Sequence, residues 1–332
     1  MSPGSVTDGT LAAPAVAACA RAPHASCPDG YRASVTYSIV ARDEQSGEMG
    51  IACQSQAFAV GSSVPWALPG IGVVATQSMG EPLYGDLGLE NLQAGLTAGE
   101  ALRALRSVDP HPERRQVAMV DGYGNVAVYT GEACVAAAGH ARGSCCAALG
   151  NMVASARVWE AMVGAWEGAA GTMAERLVAA LHAAEAEGGD VRGRRSAAVT
   201  VVRARRTGRP WRDRLVDLRV DDHPDPVGEI DRLVRTSARY HRVVEALDQA
   251  LDGEAGAAAG DLGELPPPDP AEEPDIAMWT ALVGALAGRD AEAAALMSRL
   301  REAAPPFATV ARRMGDVGLI PEDVVRRLLR GG

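Results

Sequence analysis

Thr36-Tyr37-Ser38-Ile39-Val40-Ala41-Arg42-Asp43, then the polar turn Glu44-Gln45-Ser46-Gly47-Glu48, then Met49-Gly50-Ile51-Ala52-Cys53-Gln54-Ser55, is the stretch that decides the fold. Tyr37, Ile39 and Ala41 alternate with Ser38, Val40 and Arg42, the period of a strand with two distinct faces. With a Gly-containing turn between them, the two runs read as a β-hairpin. Thr36 heads the first strand. One reading is an ordinary β-branched strand residue. The other is a threonine whose own α-amine serves as base to its hydroxyl, which requires it to be the first residue of the mature chain.

Outward from the hairpin, residues 57–66 read as a loop of small residues anchored by Trp66, and Ile71 to Ser78 as an apolar strand ending in polar residues. Tyr84 to Gln93 and Ala98 to Ser107 are amphipathic helices, the second opened by Thr97 as N-cap. Arg115 to Val120 and Asn125 to Thr130 flank Asp121-Gly122-Tyr123-Gly124 as a second hairpin. Gly131 to Gly150 reads as a Gly-, Ala- and Cys-rich connection carrying His140. Val153 to Trp166 and Thr172 to Glu187 are two more helices, Ser196 to Arg203 and Arg214 to Val220 a third hairpin, and Asp225 to Leu251 a long helix with Pro226 in its first turn. Hairpins separated by helix pairs predict an α+β protein with two stacked antiparallel sheets, each covered by a helical layer.

The domain organisation expected is a leader over 1–35, a main domain over 36–251, a Pro/Gly/Ala-rich linker over 252–274 and a small helical appendage over 275–332. The net charge of −10, without a basic block, argues against nucleic acid as partner. All 32 basic residues are arginine, which excludes Schiff-base lysines, a Ser–Lys dyad and a P-loop lysine. None of the six cysteines is spaced as a zinc ligand set, so reduced thiols in a cytoplasmic protein are expected, with no metal and no cofactor. No apolar run reaches the length of a membrane span.

The opening Val35-Thr36-Tyr37-Ser38-Ile39-Val40-Ala41-Arg42-Asp43 resembles the start of a family of unknown function, DUF1028, whose members begin Met-Thr-(Phe/Tyr)-Ser-Ile-Val-Ala-Arg-Asp. Further matching runs are Gln54-Ser55, Val64-Pro65-Trp66-Ala67, Ala75-Thr76-Gln77-Ser78, Gly139-His140, Gly189-Asp190 with Arg192-Gly193, and Val216 to Pro224. The likeness covers about 36–250; Gln56 stands where His or Arg is common, and Arg195 where Gln is frequent. The resemblance implies membership of the N-terminal-nucleophile (Ntn) hydrolases. Their fold is a four-layer α/β/β/α sandwich of antiparallel sheets, here with a small C-terminal helical appendage.

What the resemblance implies for chemistry is a bacterial amidohydrolase cleaving a small-molecule or peptide-like amide, with Thr36 as nucleophile. Asn151 is then a candidate oxyanion donor, with a turn-satisfying loop residue as the plainer alternative. Gln54, Ser55, Gln77 and Ser78 end neighbouring expected strands and either converge on Thr36 or pair at a sheet edge. His140 is a substrate contact or a cap, and Asp190 with Arg192 a site ion pair or a turn pair. Arg42 or Arg192 would supply the positive charge that a lysine gives elsewhere. Asp221-Asp222-His223 reads as helix-start chemistry rather than a metal cluster. The other function class is a catalytically silent Ntn-fold protein that binds a ligand or partner; assembly into a homo-oligomer stays open. For Thr36 to act, residues 1–35 must be absent. Translation from a GTG codon at Val35 is the simpler route, and autoproteolysis at Val35–Thr36 the other.

Overall fold

The computed structural model describes residues 36–330; the expected leader lies outside them. Strands β1 (Thr36–Arg42) and β2 (Met49–Ser55) form the opening hairpin, with Thr36 opposite Ser55 and Arg42 opposite Met49. β3 (Pro65–Leu68) and β4 (Gly72–Ser78) follow, then helices α1 (Leu83–Gln93) and α2 (Ala98–Val108). β3 overlaps the expected loop: its proline starts an edge strand, where a missing N–H costs the sheet no hydrogen bond. Trp66 packs so closely on Gly85 of α1 that a Cβ there would stand 2.2 Å from the ring. Thr97 caps α2 as expected, in a reciprocal box with Glu100.

β5 (Arg115–Asp121) and β6 (Val126–Thr130) are the second hairpin. The segment expected to be an irregular connection instead contains a hairpin, β7 (Gly139–Gly143) and β8 (Cys146–Asn151). Gly, Ala and Cys carry little strand preference of their own; here pairing with β1 fixes β8 as a strand. Helix α3 (Val158–Gly168) starts five residues later than expected, because Val153 is held extended in a bridge to Asp190. After α4 (Met173–Ala186), whose Thr172 forms a second capping box, come β9 (Ser196–Val202), the short α5 (Pro210–Asp213), β10 (Arg214–Val220) and α6 (Pro226–Gln249).

The strands make two antiparallel sheets, in the orders β10-β9-β2-β1-β8-β7 and β3-β4-β5-β6. One core joins facing side chains of both, including Val40, Ile51, Val73, Ala118 and Leu149. A second lies on the other face of the larger sheet, where Tyr37, Ile39 and Ala148 meet Trp166, Leu177 and Leu181 of α3 and α4. A third joins the smaller sheet to α1 and α2 through Val74, Met119, Leu102 and Leu105. Alternation along β1 therefore sends Thr36, Ser38 and Val40 between the sheets and Tyr37, Ile39 and Ala41 to the helices.

The expected linker is not one. A turn at Gly253 (φ 99°) ends α6, and α7 (Ala255–Gly263) follows directly. Ala258, Ala259 and Leu262 of α7 are buried in one core with Val243 and Leu247 of α6 and with residues of α8 (Pro274–Leu286), α9 (Asp290–Ala303), α10 (Pro305–Asp316) and α11 (Glu322–Arg330). An Ala-rich stretch that looks featureless in sequence is helical because its small residues allow close helix packing. The helical region thus draws on residues well before 275.

Candidate functional site

The antiparallel topology brings one end of both sheets together: the starts of β1, β5, β7 and β9 and the ends of β2, β4, β6 and β8. Thr36 sits between two partners there, opposite Ser55 on one side and Asn151 on the other. All three are fully buried.

A chain of buried side-chain hydrogen bonds crosses from sheet to sheet at this end. Ser38 Oγ donates to Gln77 Oε1 (2.6 Å). Gln77 Nε2 donates to the carbonyl of Thr36 (2.9 Å) and to Gln116 Oε1 (2.8 Å). Asn151 Nδ2 donates to the same Gln116 oxygen at 3.0 Å and reaches the Thr36 carbonyl at 3.4 Å. Gln116 Nε2 in turn faces Gly150 O (2.8 Å), Gly139 O (3.0 Å) and Thr130 Oγ1 (3.0 Å). Thr130 Oγ1 is 2.9 Å from His140 Nδ1. Three carboxamides from β4, β5 and β8 thereby fix the carbonyl of the residue at the head of β1. Asn151 Oδ1 alone in this group is buried with no partner.

Gln77, Asn151 and Thr36 are therefore in one constellation, with Ser55 beside them. Ser55 Oγ accepts from Ala57 N (2.9 Å) and turns the chain out of β2. His140 is linked through Thr130, on an exposed strand; partial burial of its ring lowers its pKa, with Arg142 adding to the effect. Asp190 and Arg192 form a rim: Asp190 is buried, accepts from Gln56 N (3.0 Å), and pairs with the Arg192 guanidinium (3.1 Å).

Three expectations shift. Gln54 is one residue out of phase with Ser55, so it falls on the α3–α4 face beside Tyr37, not on the Thr36 face. Both its amide atoms are buried and unpartnered. Ser78 likewise is one residue past Gln77 and takes a left-handed φ of 71°. Arg42 lies at the far end of β1, about 20 Å along the strand, with its Nε on Gly122 O, so it supplies no charge at Thr36. Asp221 and Asp222 each pair with an arginine, Arg219 and Arg195, and His223 Nδ1 accepts from Asp225 N at the start of α6.

Gln116 and Ser38 are the members that sequence reasoning missed. Each is a polar residue at a position whose alternation points it between the sheets, in phase with Ala118 and Val40. A polar residue in register with a core face is the available signal.

Backbone geometry also marks this end. Of the four non-glycine residues at positive φ among the described residues, Ser78 ends β4, Met152 directly follows β8 and Ala59 lies four residues beyond β2, all on the Thr36 side, while Cys145 lies in the β7–β8 turn. Such conformations cost about 1–3 kcal/mol each and concentrate where a structure needs a particular geometry. Loops at this end also expose Phe58, Val135 and Val191.

The family of unknown function DUF1028 matches residues 36–230. This chain belongs to that family. A DUF1028 protein of Silicibacter pomeroyi, known from a crystal structure, is similar at 32% identity with a TM-score of 0.56, over 61% of this chain and 89% of its own. No curated protein matches the chain. The part of the chain matched by the family contains every strand among the described residues and ends within α6, so the Thr36 constellation lies inside the match and the helices after α6 lie outside it.

Proposed function

We propose that this DUF1028 protein is an amide-bond hydrolase of the Ntn type, with Thr36 as nucleophile and the four-layer α/β/β/α arrangement of that class. The observation that carries the proposal is the fixing of Thr36: it heads a central strand, and carboxamides from both sheets, Gln77 and Asn151, hold its carbonyl. A nucleophile that is also its own base needs its backbone held, because amine, hydroxyl and substrate must keep one geometry.

In the reaction proposed, Thr36 Oγ attacks the amide carbon of a small or peptide-like substrate while the free α-amine takes the hydroxyl proton. An α-amine with a pKa near ~7.7–8 is partly neutral at physiological pH and can do this. Collapse of the tetrahedral intermediate breaks the C–N bond, and the amine returns the proton to the leaving group. Water then hydrolyses the threonyl ester by the reverse use of the same groups. Asn151 supports this role unequally: its N–H groups already face Gln116 and Thr36, and the 3.4 Å contact is the one an oxyanion would most easily replace. Arg192 is the arginine closest by connectivity to the rim, tied to Asp190 and through it to Gln56.

The test is expression with Met in place of Val35 as the start, then intact mass and turnover of an amide library. The reading expects a chain beginning at Thr36 that hydrolyses a subset of amides, loses activity as Thr36→Ala, and keeps part of it as Thr36→Ser. Thr36-initiated protein that turns over no amide, or that is unaffected by Thr36→Ala, sinks it and leaves a binding protein.

A further inference from the structure

Outside the Thr36 constellation, the helical region holds a cavity of about 400 Å³ between α6, α7, α8 and α9. Its size falls within the range of small-molecule sites, and so does its character, mostly apolar walls with a few polar groups. The walls are Val243, Leu262, Leu265, Ile276, Ala281 and Leu296.

The polar groups are not balanced. Arg239, Arg289 and Arg299 line the cavity against one carboxylate, Glu292, in a chain whose net charge is −10. Arg289 and Arg299 are exposed, and among the described residues neither forms an ion pair. Arg239 is mostly buried; its terminal nitrogens serve Glu273 (3.0 Å) and Pro266 O (2.6 Å), yet its Nε is buried with no acceptor. A buried donor left unpaired is costly, and the charge of a guanidinium raises that cost. That nitrogen has no accessible surface, so a molecule in the cavity would meet Arg289 and Arg299 rather than it.

We propose that this cavity binds an organic monocarboxylate with an apolar body of about the size of a medium-chain fatty acid. The body fills the Val243–Ile276–Leu296 walls, and the carboxylate meets the arginines. A bare inorganic anion would leave the apolar walls empty, and an amine would face the two arginines without an ion pair, Arg289 and Arg299. The site stands apart from Thr36 and does not depend on the amidohydrolase reading.

The test is calorimetric titration of the full-length protein with octanoate, 1-octanol, octylamine and inorganic phosphate. The expected result is saturable one-to-one binding of octanoate, weaker by about tenfold or more for octanol, the loss of a charged hydrogen bond, and none for octylamine or phosphate. Arg289→Gln combined with Arg299→Gln, both at exposed positions, should bring octanoate down to the level of octanol without changing octanol. Gly284→Leu, whose Cβ would meet Ala293 at an ordinary 3.5 Å, should abolish both, with a thermal melt to check that it is folded. Equal affinity for octanoate and octanol, binding unchanged in the double arginine variant, phosphate binding as tight as octanoate, or no saturable binding at all would each overturn the proposal.

Discussion

Replacing Gln116 by leucine removes the hub of the inter-sheet carboxamide network at little change in volume. Gln116 Oε1 accepts from both Gln77 and Asn151, and its Nε2 faces the carbonyls of Gly139 and Gly150. In the variant Gln77 keeps the Thr36 carbonyl, but Asn151 keeps only its 3.4 Å contact to that oxygen, and Gly150 O loses its 2.8 Å partner. Two buried groups orphaned at ~1–3 kcal/mol each give a loss of roughly 2–6 kcal/mol. Added apolar surface does not offset this, because the leucine sits among amides rather than in the apolar core. Against a typical stability of ~5–15 kcal/mol the loss is large, and urea unfolding monitored by tryptophan fluorescence should show it as a lowered midpoint at unchanged slope. Glu132→Ala, at an exposed position, is the control and should stay within about 0.5 kcal/mol. A loss below about 1 kcal/mol for Gln116→Leu would mean the network is not held as described and that Thr36 is not fixed by it.

Asp109 pairs with Arg115 (2.8 Å) at low exposure; burial works upward on its pKa, but hydrogen bonds from Arg115, His111 N and Tyr84 outweigh it and hold the carboxyl below its usual range. Its contribution is therefore present above the unfolded carboxyl pKa of ~3.9 and is lost as pH falls through the lower folded value, so the stability gap between wild type and Asp109→Asn, ~1.5–3 kcal/mol at neutral pH, should close in acid melts. Burial pushes the thiols of Cys53 and Cys146 up to about 12, so iodoacetamide at pH 8 followed by peptide mapping should leave both unlabelled in native protein and modify both once it is unfolded. A chain ending at Ala238 should stay soluble by light scattering, whereas one ending at Gln249 exposes Val243, Ala246 and Leu247 and should associate.

The hairpins and caps of the main domain were legible because their signals are local. Tyr37, Ile39 and Ala41 alternate visibly, and Thr97 and Glu100 stand at capping-box spacing. The β7–β8 hairpin was not, because Gly139-His140-Ala141-Arg142-Gly143 and Cys146-Ala147-Ala148-Leu149 have no strand preference of their own and take their conformation from β1. The site divided in the same way. Gln77 could be placed near Thr36 because it stands at the polar end of an expected strand, whereas Asn151 was expected there only through the resemblance, its segment reading as a loop; Gln54 and Ser55 end a strand together, and only the register decides which faces Thr36. Thr36 opposite Ser55 puts Ser55 between the sheets and turns Gln54 toward the helices. Gln116 escaped notice because it starts its strand next to Arg115, where polarity looks like a strand end reaching solvent.

The helical region raises a different question, since proline and glycine usually mark the boundary between independent units. Pro266-Pro267-Pro268 here line a cavity rather than a tether, and Pro266 O is held by Arg239 of α6. The reason is α6 itself. Its first half buries Val227, Ile230 and Val234 against the larger sheet, and its second half buries Val243 and Leu247 among α7, α8 and α9. A single 24-residue helix thus belongs to both cores, and no hinge lies between its halves. Its N-terminus is fixed at the rim of the Thr36 constellation, where Asp225 caps Gly228 N and pairs with Arg194. The helices beyond the family match are therefore built onto an element whose position the family fold already sets. Changes to the cavity between them can therefore leave Thr36 in place, as long as the first half of α6 keeps its apolar contacts to the sheet through Val227, Ile230 and Val234.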